Sequence, residues 1–329
     1  MTTLADSHDA ALFDLDGVVY LGPAAVPGAA EGLAALRELG CQVGFVTNNA
    51  AREPQAVVDQ LVGLGIEAEL SDVVTSAQAG SRLLAEQLPQ GSKVLVVGTE
   101  ALAAEVSAVG MVPVWSSSEQ PVAVIQGYDP QMTWPRIDDA CLALQQGAAW
   151  FATNTDSTRP TDRGLVPGAG AQIAAVAFTV KVSPQVAGKP YPPLLNETMR
   201  RMGSSTPIFV GDRIDTDIMG AVEVGIGSLF VFTGAHGKHD LLQAGPEGRP
   251  THIGHDLRAL LEEPRTVELD QDQARCRGQL ARLVDGRIDL ETVPTEREQQ
   301  LDALWAVLQL AWATGTDQAD VVDQLTELP

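Results

Sequence analysis

Short apolar runs alternate with amphipathic segments along the first two thirds of the chain. The apolar runs have the length and character of buried strands, and they lie at residues 10–15, 41–47, 93–98, 121–127, 148–154, 207–212 and 227–234. The segments between them predict helices, among others at residues 28–39, 54–64, 99–108 and 192–202. This alternation is typical of an α/β fold with a parallel sheet, and we expect that fold class here.

The last part of the chain has a different pattern. Residues 274–291 alternate apolar and polar positions on either side of Asp285-Gly286, which predicts a β-hairpin. Thr295 and Glu298 match the capping box of a helix start. The helix expected to follow has apolar residues along one face, namely Leu301, Leu304, Trp305, Leu308 and Trp312. We therefore expect a small α+β extension over residues 265–329, whose helix packs in the core or mediates assembly into a homo-oligomer.

The net charge of the chain limits the kinds of binding partner that we expect. Its 329 residues suffice for two domains, and its formal net charge is −22. Nucleic acids and anionic membrane surfaces both select for clustered Lys and Arg, so we expect neither as a partner. An anionic small molecule remains compatible with this charge, because a bound cation can reverse the local field.

Two features bear on the cellular compartment. The first ten residues, MTTLADSHDA, are polar and lack the apolar run of a signal peptide. The cysteines, Cys41, Cys141 and Cys276, are odd in number and far apart in sequence, which argues against a disulfide framework. Both features predict a reducing, cytoplasmic location.

Two acidic residues, Asp14 and Asp16, follow the first apolar run in the segment FDLDG. Side chains two positions apart on a strand share a face, so both carboxylates are expected to point to the same place. Buried like charges are costly unless a cation neutralises them, and Mg²⁺ prefers oxygen ligands. The pair therefore predicts a metal site, while the alternative is that it only ends the strand and caps the next turn.

Two further segments could hold a phosphoryl group. Thr47, Asn48 and Asn49 directly follow another apolar run, and hydroxyl, amide and free backbone N–H groups before a helix suit a phosphate. Residues of these types also serve as helix N-caps, which is the alternative. Lys189, in the segment GKP, is one of four lysines in the chain. A fixed ammonium could neutralise a developing charge there, or Lys189 could be an ordinary exposed turn residue.

The strongest metal signal is the segment GDRIDTD. It places Asp212, Asp215 and Asp217 directly after the apolar run IFV. The alternative is an acidic helix N-terminus that the helix dipole stabilises. All four polar segments follow predicted parallel strands, and the carboxyl ends of such strands are where open α/β sheets bind ligands. This shared position favours one common site.

In this order, the segments FDLDGV, VTNN, GKP and GDRIDTD resemble the four motifs of the haloacid dehalogenase superfamily. The long insertion between VTNN and GKP resembles the large α/β cap of its NagD-like, phosphoglycolate and 4-nitrophenyl phosphatases, as does the segment ATNTD at 152–156. The resemblance covers residues 8–262. It implies a Rossmann-like core at 1–76 and 186–264, with an inserted cap domain at 77–185.

The resemblance also implies roles for the acidic residues. Asp14 would be the nucleophile and a ligand of Mg²⁺. Asp16 would be the general acid and base, and its backbone carbonyl would bind the metal. Asp212 would be a further metal ligand. Asp217 would contact Asp212 and hold it in place without binding the metal itself.

The same resemblance assigns the phosphate contacts. Thr47 and Asn48, together with Asn49, would hold the phosphoryl oxygens. Lys189 would orient the nucleophile and stabilise the phosphate. In the cap, we expect Asn154, Asp156 and Arg159 to face the substrate, although they could instead stabilise their own loop.

The implied activity is Mg²⁺-dependent hydrolysis of a small phosphomonoester through a phospho-aspartate. Glycerol 3-phosphate is the preferred substrate, because the chain is similar to actinobacterial members with that role. Phosphoglycolate and nucleoside monophosphates are the alternatives. Two other functions stay open, namely a phosphotransferase or mutase with the same intermediate and a non-catalytic sugar-phosphate-binding protein.

Overall fold

The computed structural model describes residues 2–161, 163–316 and 320–329. Its strands are β1 Ala10–Phe13, β2 Tyr20–Leu21, β3 Ala24–Ala25, β4 Gln42–Thr47, β5 Val73–Thr75, β6 Lys93–Val97, β7 Val112–Val114, β8 Ala123–Gln126, β9 Ala149–Ala152, β10 Thr158–Thr161, β11 Gly164–Pro167, β12 Gln185–Val186, β13 Ile208–Gly211, β14 Gly227–Val231, β15 His252–Gly254, β16 Val267–Leu269, β17 Gln273–Cys276, β18 Gln279–Val284 and β19 Arg287–Leu290. Its α-helices are α1 Ala29–Glu38, α2 Pro54–Gly63, α3 Ser76–Gln87, α4 Glu100–Ala108, α5 Trp134–Gln145, α6 Ala169–Ala177, α7 Pro192–Met202, α8 Met219–Glu223, α9 Lys238–Leu242, α10 Arg297–Thr314 and α11 Asp320–Asp323.

The chain divides into two compact units. The first contains the residues up to Val43 and those from Ser205 to Pro329, and the second is Gly44–Ser204. The predicted cap, residues 77–185, lies inside the second unit together with its flanking segments. The predicted boundaries between core, cap and extension stay a prediction.

In the first unit, the strands β15, β14, β13 and β1 lie side by side in that order. All three pairings are parallel, and Phe13 at the end of β1 lies opposite Val210 near the end of β13. The residues of β1 and β13 are apolar or glycine and fully buried, as their sequence runs predict. The α/β fold class is confirmed, and the register brings the residues that follow β1 and β13 to the same edge.

The extension forms a four-stranded antiparallel sheet, β16-β17-β18-β19. The predicted hairpin is confirmed, because Val284 of β18 pairs with Arg287 of β19 around Asp285 and Gly286. These two turn residues have φ angles of 49° and 76°, and a type I′ turn, which matches the strand twist, requires positive φ at both positions. The hairpin is thus one half of a larger sheet.

The helix α10 packs on that sheet and differs from the sequence prediction at its start. Its N-cap is Glu296, whose side chain makes no capping hydrogen bond, so the capping box of Thr295 and Glu298 is wrong. The Glu298 carboxylate pairs instead with the guanidinium of Arg265. An ion pair to Arg265, which lies in the connection before β16, takes the place of the local cap.

The apolar face of α10 is buried inside its own unit. The buried residues on this face join one hydrophobic core with Ile218 and Phe230 of the parallel-sheet region, and they include Leu301, Leu304, Trp305 and Leu308. The prediction that this face packs in the core is confirmed. The hypothesis of self-association started from an exposed apolar face, and at these four positions that face is already covered within the unit. The oligomeric state stays a prediction.

The second unit contains a five-stranded parallel sheet with the order β12-β9-β8-β6-β7. One hydrophobic core forms where α5 covers this sheet, around Ile137 and Leu144. A separate core includes Leu84 of α3 and Leu102 of α4. The unit also contains the parallel pair β4–β5 and the antiparallel pair β10–β11.

The helices and the cysteines give two further observations. Among the described residues, no helix combines the length and the apolar character that crossing a membrane requires. Cys41, Cys141 and Cys276 are buried free thiols.

Candidate active site

Three carboxylates meet at the end of the parallel sheet in the first unit. Asp14 follows β1 and Asp212 follows β13, and Asp14 donates its backbone N–H to the carbonyl of Val210 at 2.9 Å. The possible ligand oxygens of Asp14, Asp212 and Asp217 all lie within 4.8 Å of one another. Asp212 and Asp217 are only 2% and 1% exposed, whereas Asp14 is half-buried. A divalent cation suits this donor set, because it relieves the repulsion between the buried charges.

A segment after β14, residues 233–237, surrounds the Asp212 carboxylate, and we call it the Asp212 loop. Ala235 donates its backbone N–H to Oδ2 of Asp212 at 2.6 Å, and His236 donates its N–H to the Asp212 carbonyl at 3.3 Å. Gly234 has to be a glycine, because a Cβ at that position would overlap the Asp212 carboxylate. The carboxylate is therefore held in one orientation by close backbone contacts.

Asp217 fixes the backbone that carries Asp212. It lies in the π-helical turn Ile214–Ile218, and its Oδ2 accepts the N–H groups of Asp212 at 3.2 Å and Arg213 at 3.1 Å. Groups that bind a metal ligand on the side away from the metal set its orientation, and through these contacts Asp217 could do so for Asp212. Its supporting role stays a prediction.

The segment around Asp16 departs in one detail from the expectation. The strand β1 ends at Phe13, so the idea that Asp14 and Asp16 share a strand face is wrong. Asp16 is exposed and lies at a tight turn, where Gly17 has a φ of 95°. A side chain at Gly17 would also come within 2.5 Å of the Asp212 carboxylate. The turn thus brings the Asp16 backbone near the carboxylate cluster and leaves the Asp16 side chain accessible.

In the second unit, Asn48 binds the backbone of Lys189. Its Oδ1 accepts the Lys189 N–H at 2.8 Å, and its Nδ2 donates to the Lys189 carbonyl at 3.1 Å. The same Nδ2 donates to Oδ1 of Asp156 at 3.0 Å. Lys189 is only 2% exposed, so the alternative of an ordinary exposed turn lysine is wrong. The side chain of Asn48 is occupied in holding the Lys189 segment.

The predicted cap residues take part in the same network. Asn154 donates from Nδ2 to the Asn48 carbonyl at 2.6 Å and accepts the Asp156 N–H on Oδ1 at 3.1 Å. The Arg159 guanidinium lies over the Tyr128 ring and donates from Nε to its hydroxyl at 3.0 Å. These contacts support the alternative that Asn154 and Asp156 stabilise their loop. Their role as substrate ligands stays a prediction.

Thr47 and Asn49 lie at the end of β4. The Thr47 Oγ1 accepts the Asn49 N–H at 3.1 Å, and Asn49 Oδ1 accepts the Ala51 N–H at 2.9 Å. Both residues therefore shape the turn that follows the strand. The alternative that they cap a helix is wrong, because the next helix, α2, has Glu53 as its N-cap. Such a turn can also present polar groups to an anion.

The sequence reasoning missed the Asp212 loop. Its segment, TGAHG, has no acidic or basic cluster that would mark a metal site. The available signal was its position, because it follows β14, the parallel neighbour of β13. It also missed Ser76, which donates to the Asn48 carbonyl at 2.5 Å.

Two family models match the chain. The model described as haloacid dehalogenase-like hydrolase matches residues 11–112, and a HAD-hydrolase-like model matches residues 186–260. The chain is 46% identical over 267 residues to D-glycerol 3-phosphate phosphatase of Mycobacterium tuberculosis. The alignment covers 81% of this chain and 75% of that protein. It is 34% identical to an acid sugar phosphatase of Staphylococcus saprophyticus over 78% of this chain and 98% of that protein.

A solved structure is similar over almost the whole chain. The glycerol phosphate phosphatase of Mycobacterium tuberculosis, in complex with magnesium, superposes with a TM-score of 0.86 at 40% identity, over 94% of this chain and 92% of that one. This coverage must include most of residues 265–329, so the extension has a counterpart there. The four motifs, the family models and these relatives agree, and the chain belongs to the haloacid dehalogenase-like hydrolases.

Proposed function

We propose that this protein hydrolyses a small phosphomonoester by way of a phospho-aspartate on Asp14, with Mg²⁺ as its cofactor. The observation that carries the proposal is the cluster of Asp14, Asp212 and Asp217, in which the half-buried Asp14 is the most accessible member. Membership of the hydrolase family supports the reaction class. The relative solved with magnesium supports the choice of metal.

In the proposed site, Asp14, Asp212 and the Asp16 backbone carbonyl hold the metal, and Asp217 keeps Asp212 in place. When bound, Mg²⁺ supplies positive charge that lowers the repulsion between a carboxylate and a phosphate dianion. Lys189, Thr47 and Asn49 belong to the second unit and stay predicted phosphate ligands, a role that an ammonium and small polar groups suit. A direct phosphate contact from Asn48 stays a prediction, since its side chain binds Lys189 and Asp156.

The proposed reaction has two steps. An Asp14 carboxylate oxygen bonds to phosphorus while the bond from phosphorus to the ester oxygen breaks, and protonated Asp16 gives its proton to the departing alkoxide. Water then attacks phosphorus in the acyl phosphate, Asp16 takes the water proton, and Asp14 is released with inorganic phosphate. The exposed position of the Asp16 side chain suits a group that exchanges protons with substrate and water.

We propose glycerol 3-phosphate as the substrate. Support comes from the M. tuberculosis relatives, which are phosphatases of glycerol phosphate by name and share 46% and 40% of their aligned residues with this chain. Phosphoglycolate, nucleoside monophosphates and acid sugar phosphates are the competing small phosphates. A cytoplasmic location stays a prediction from the sequence.

The test is phosphate release from glycerol 3-phosphate and the competing phosphates, with Mg²⁺ and with a chelator. We expect Mg²⁺-dependent release by the wild type, fastest with glycerol 3-phosphate, and none by Asp14→Asn. Phosphate transfer to an added alcohol without net release would indicate a transferase or mutase. Binding of a sugar phosphate without turnover would indicate a binding protein and would overturn the proposal.

A further inference from the structure

We infer that Lys238 is a positioning residue for Asp212, and that it acts by fastening the Asp212 loop to residues 320–329 of the extension. The inference rests on the metal site proposed above. By this inference the extension, which lies outside the four sequence motifs, helps to position a metal ligand.

The Asp212 loop has little regular structure of its own to fix its shape. It leaves β14 after Val231 and enters the short helix α9 at Lys238. Between these points, Ala235 contacts the Asp212 carboxylate, and Thr233 donates from Oγ1 to the Gly17 carbonyl at 2.5 Å. The direction of the Ala235 N–H therefore depends on where the loop is held at both ends: Thr233 holds the end near β14, and Lys238 lies at the end that enters α9.

Lys238 holds that end through three hydrogen bonds to one segment. Its Nζ donates to the carbonyls of Leu325 at 2.9 Å and Leu328 at 2.5 Å, and its backbone N–H donates to the carbonyl of Pro329 at 3.0 Å. The lysine is only 8% exposed. A buried ammonium without acceptors would be costly, so these carbonyls are needed for Lys238 to occupy this position.

Gly237, the last residue of the loop, lies directly against the same segment. A Cβ at Gly237 would be 2.8 Å from the Pro329 carbonyl oxygen, which is closer than side chains tolerate. The loop and residues 320–329 thus touch through backbone atoms as well as through the lysine side chain. A small displacement of residues 320–329 should displace the loop as well, because there is no free space between closely packed backbones.

The segment is in turn anchored to the rest of the extension. Its apolar residues Val322, Leu325 and Leu328 belong to the hydrophobic core that includes α10 and Ile218. Glu327 also donates its N–H to Oε1 of the buried Gln300 at 2.8 Å. The chain of contacts therefore runs from α10 through residues 320–329 and Lys238 to the loop around Asp212.

The experiment measures Mg²⁺ affinity by calorimetry on the full chain, and it compares wild type with Lys238→Met. Methionine keeps the apolar stem and removes the ammonium with its two hydrogen bonds to Leu325 and Leu328, while the backbone N–H can still donate to Pro329. Lys93→Met is the matched control, since its Nζ makes one exposed hydrogen bond to the Glu119 carbonyl in the other unit. Asp212→Asn shows in parallel whether the calorimetric signal comes from the proposed site.

We expect Lys238→Met to stay folded by circular dichroism and to weaken Mg²⁺ binding about 10-fold, the lower end of what losing a group behind a metal ligand costs. Wild-type affinity in folded Lys238→Met, while Asp212→Asn has lost binding, would overturn this inference alone. Binding unchanged in Asp212→Asn would overturn the metal site and the function built on it. If Lys238→Met does not fold, the same criteria apply to a chain ending at Glu327, which lacks the carbonyls of Leu328 and Pro329.

Discussion

Asn48 and Lys189, which are 141 positions apart, exchange two hydrogen bonds between the side-chain amide of the first and the backbone of the second. The amide therefore binds both the N–H and the carbonyl of Lys189, as the backbone of a neighbouring strand would. Asp156 completes the arrangement by accepting the remaining N–H of the Asn48 amide. This relationship makes Asn48 the residue that sets the position of the Lys189 backbone.

We predict that Asn48→Asp lowers kcat about 100-fold, the effect expected when a catalytic group moves by about 1 Å. The substitution keeps the size of the side chain but replaces the N–H donor with a carboxylate oxygen, which repels the Lys189 carbonyl and the Asp156 carboxylate. The measurement is steady-state phosphate release with folding verified by circular dichroism. Asn196→Asp, on the exposed face of α7, is the matched control. Equal kcat values for both variants would contradict the positioning role.

We predict that Asp217→Asn weakens Mg²⁺ binding by about 10- to 100-fold, because Asp217 accepts two backbone N–H groups next to the ligand Asp212. Asp215→Asn provides the control in the same segment, since Asp215 is exposed and pairs with Arg213. Calorimetric titration of both variants with Mg²⁺ gives the comparison. A wild-type dissociation constant for Asp217→Asn would show that Asp217 does not support the metal ligand.

The extension contains a buried ion pair whose loss should destabilise the fold. Arg265 donates from Nε to Oδ1 of Asp302 at 3.0 Å, and the side chains are 4% and 8% exposed. Burial raises the pKa of Asp302. We predict that Arg265→Met lowers the free energy of unfolding by about 3–5 kcal/mol, because it leaves a buried carboxylate without its nearest partner.

Urea denaturation measures this effect, and the double variant Arg265→Met/Asp302→Leu tests its cause. Replacing both charges removes the stranded carboxylate, so the double variant should regain most of the lost stability. A double variant as unstable as the single one would mean that packing of the arginine side chain, and not its charge, is responsible.

A further prediction concerns pH. Burial, aided by His8, lowers the pKa of His252 from 6.5 to about 4. Because the unfolded chain then takes up the proton before the folded one, the contribution of neutral His252 is present above pH 6.5 and is lost as pH falls toward about 4. We expect His252→Gln to lose less stability than wild type between about pH 7 and pH 5.

Urea denaturation of wild type and His252→Gln at the two pH values checks this expectation. An unchanged pH dependence in His252→Gln would show that the acid sensitivity of the protein comes from other groups.

The sequence by itself determined seven buried strands and one hairpin, the fold class and the acidic and amide segments of the candidate site. The runs around residues 10–15 and 207–212 predicted β1 and β13, because burial imposes a local apolar pattern that can be read without knowing the neighbours. The hairpin around Asp285-Gly286 was predictable for a similar reason, since its turn depends on the backbone preferences of two adjacent residues.

The tertiary structure alone decided which groups meet and which surfaces are covered. The pairing of Asn48 with Lys189, the contact of Lys238 with Leu325 and the covering of the Trp305 face of α10 all join residues far apart along the chain. The same side chains could cap a helix, lie in an exposed turn or form an interface with equal local plausibility. Only the packing of whole elements selects among these outcomes, because buried polar groups have to find partners wherever the fold places them.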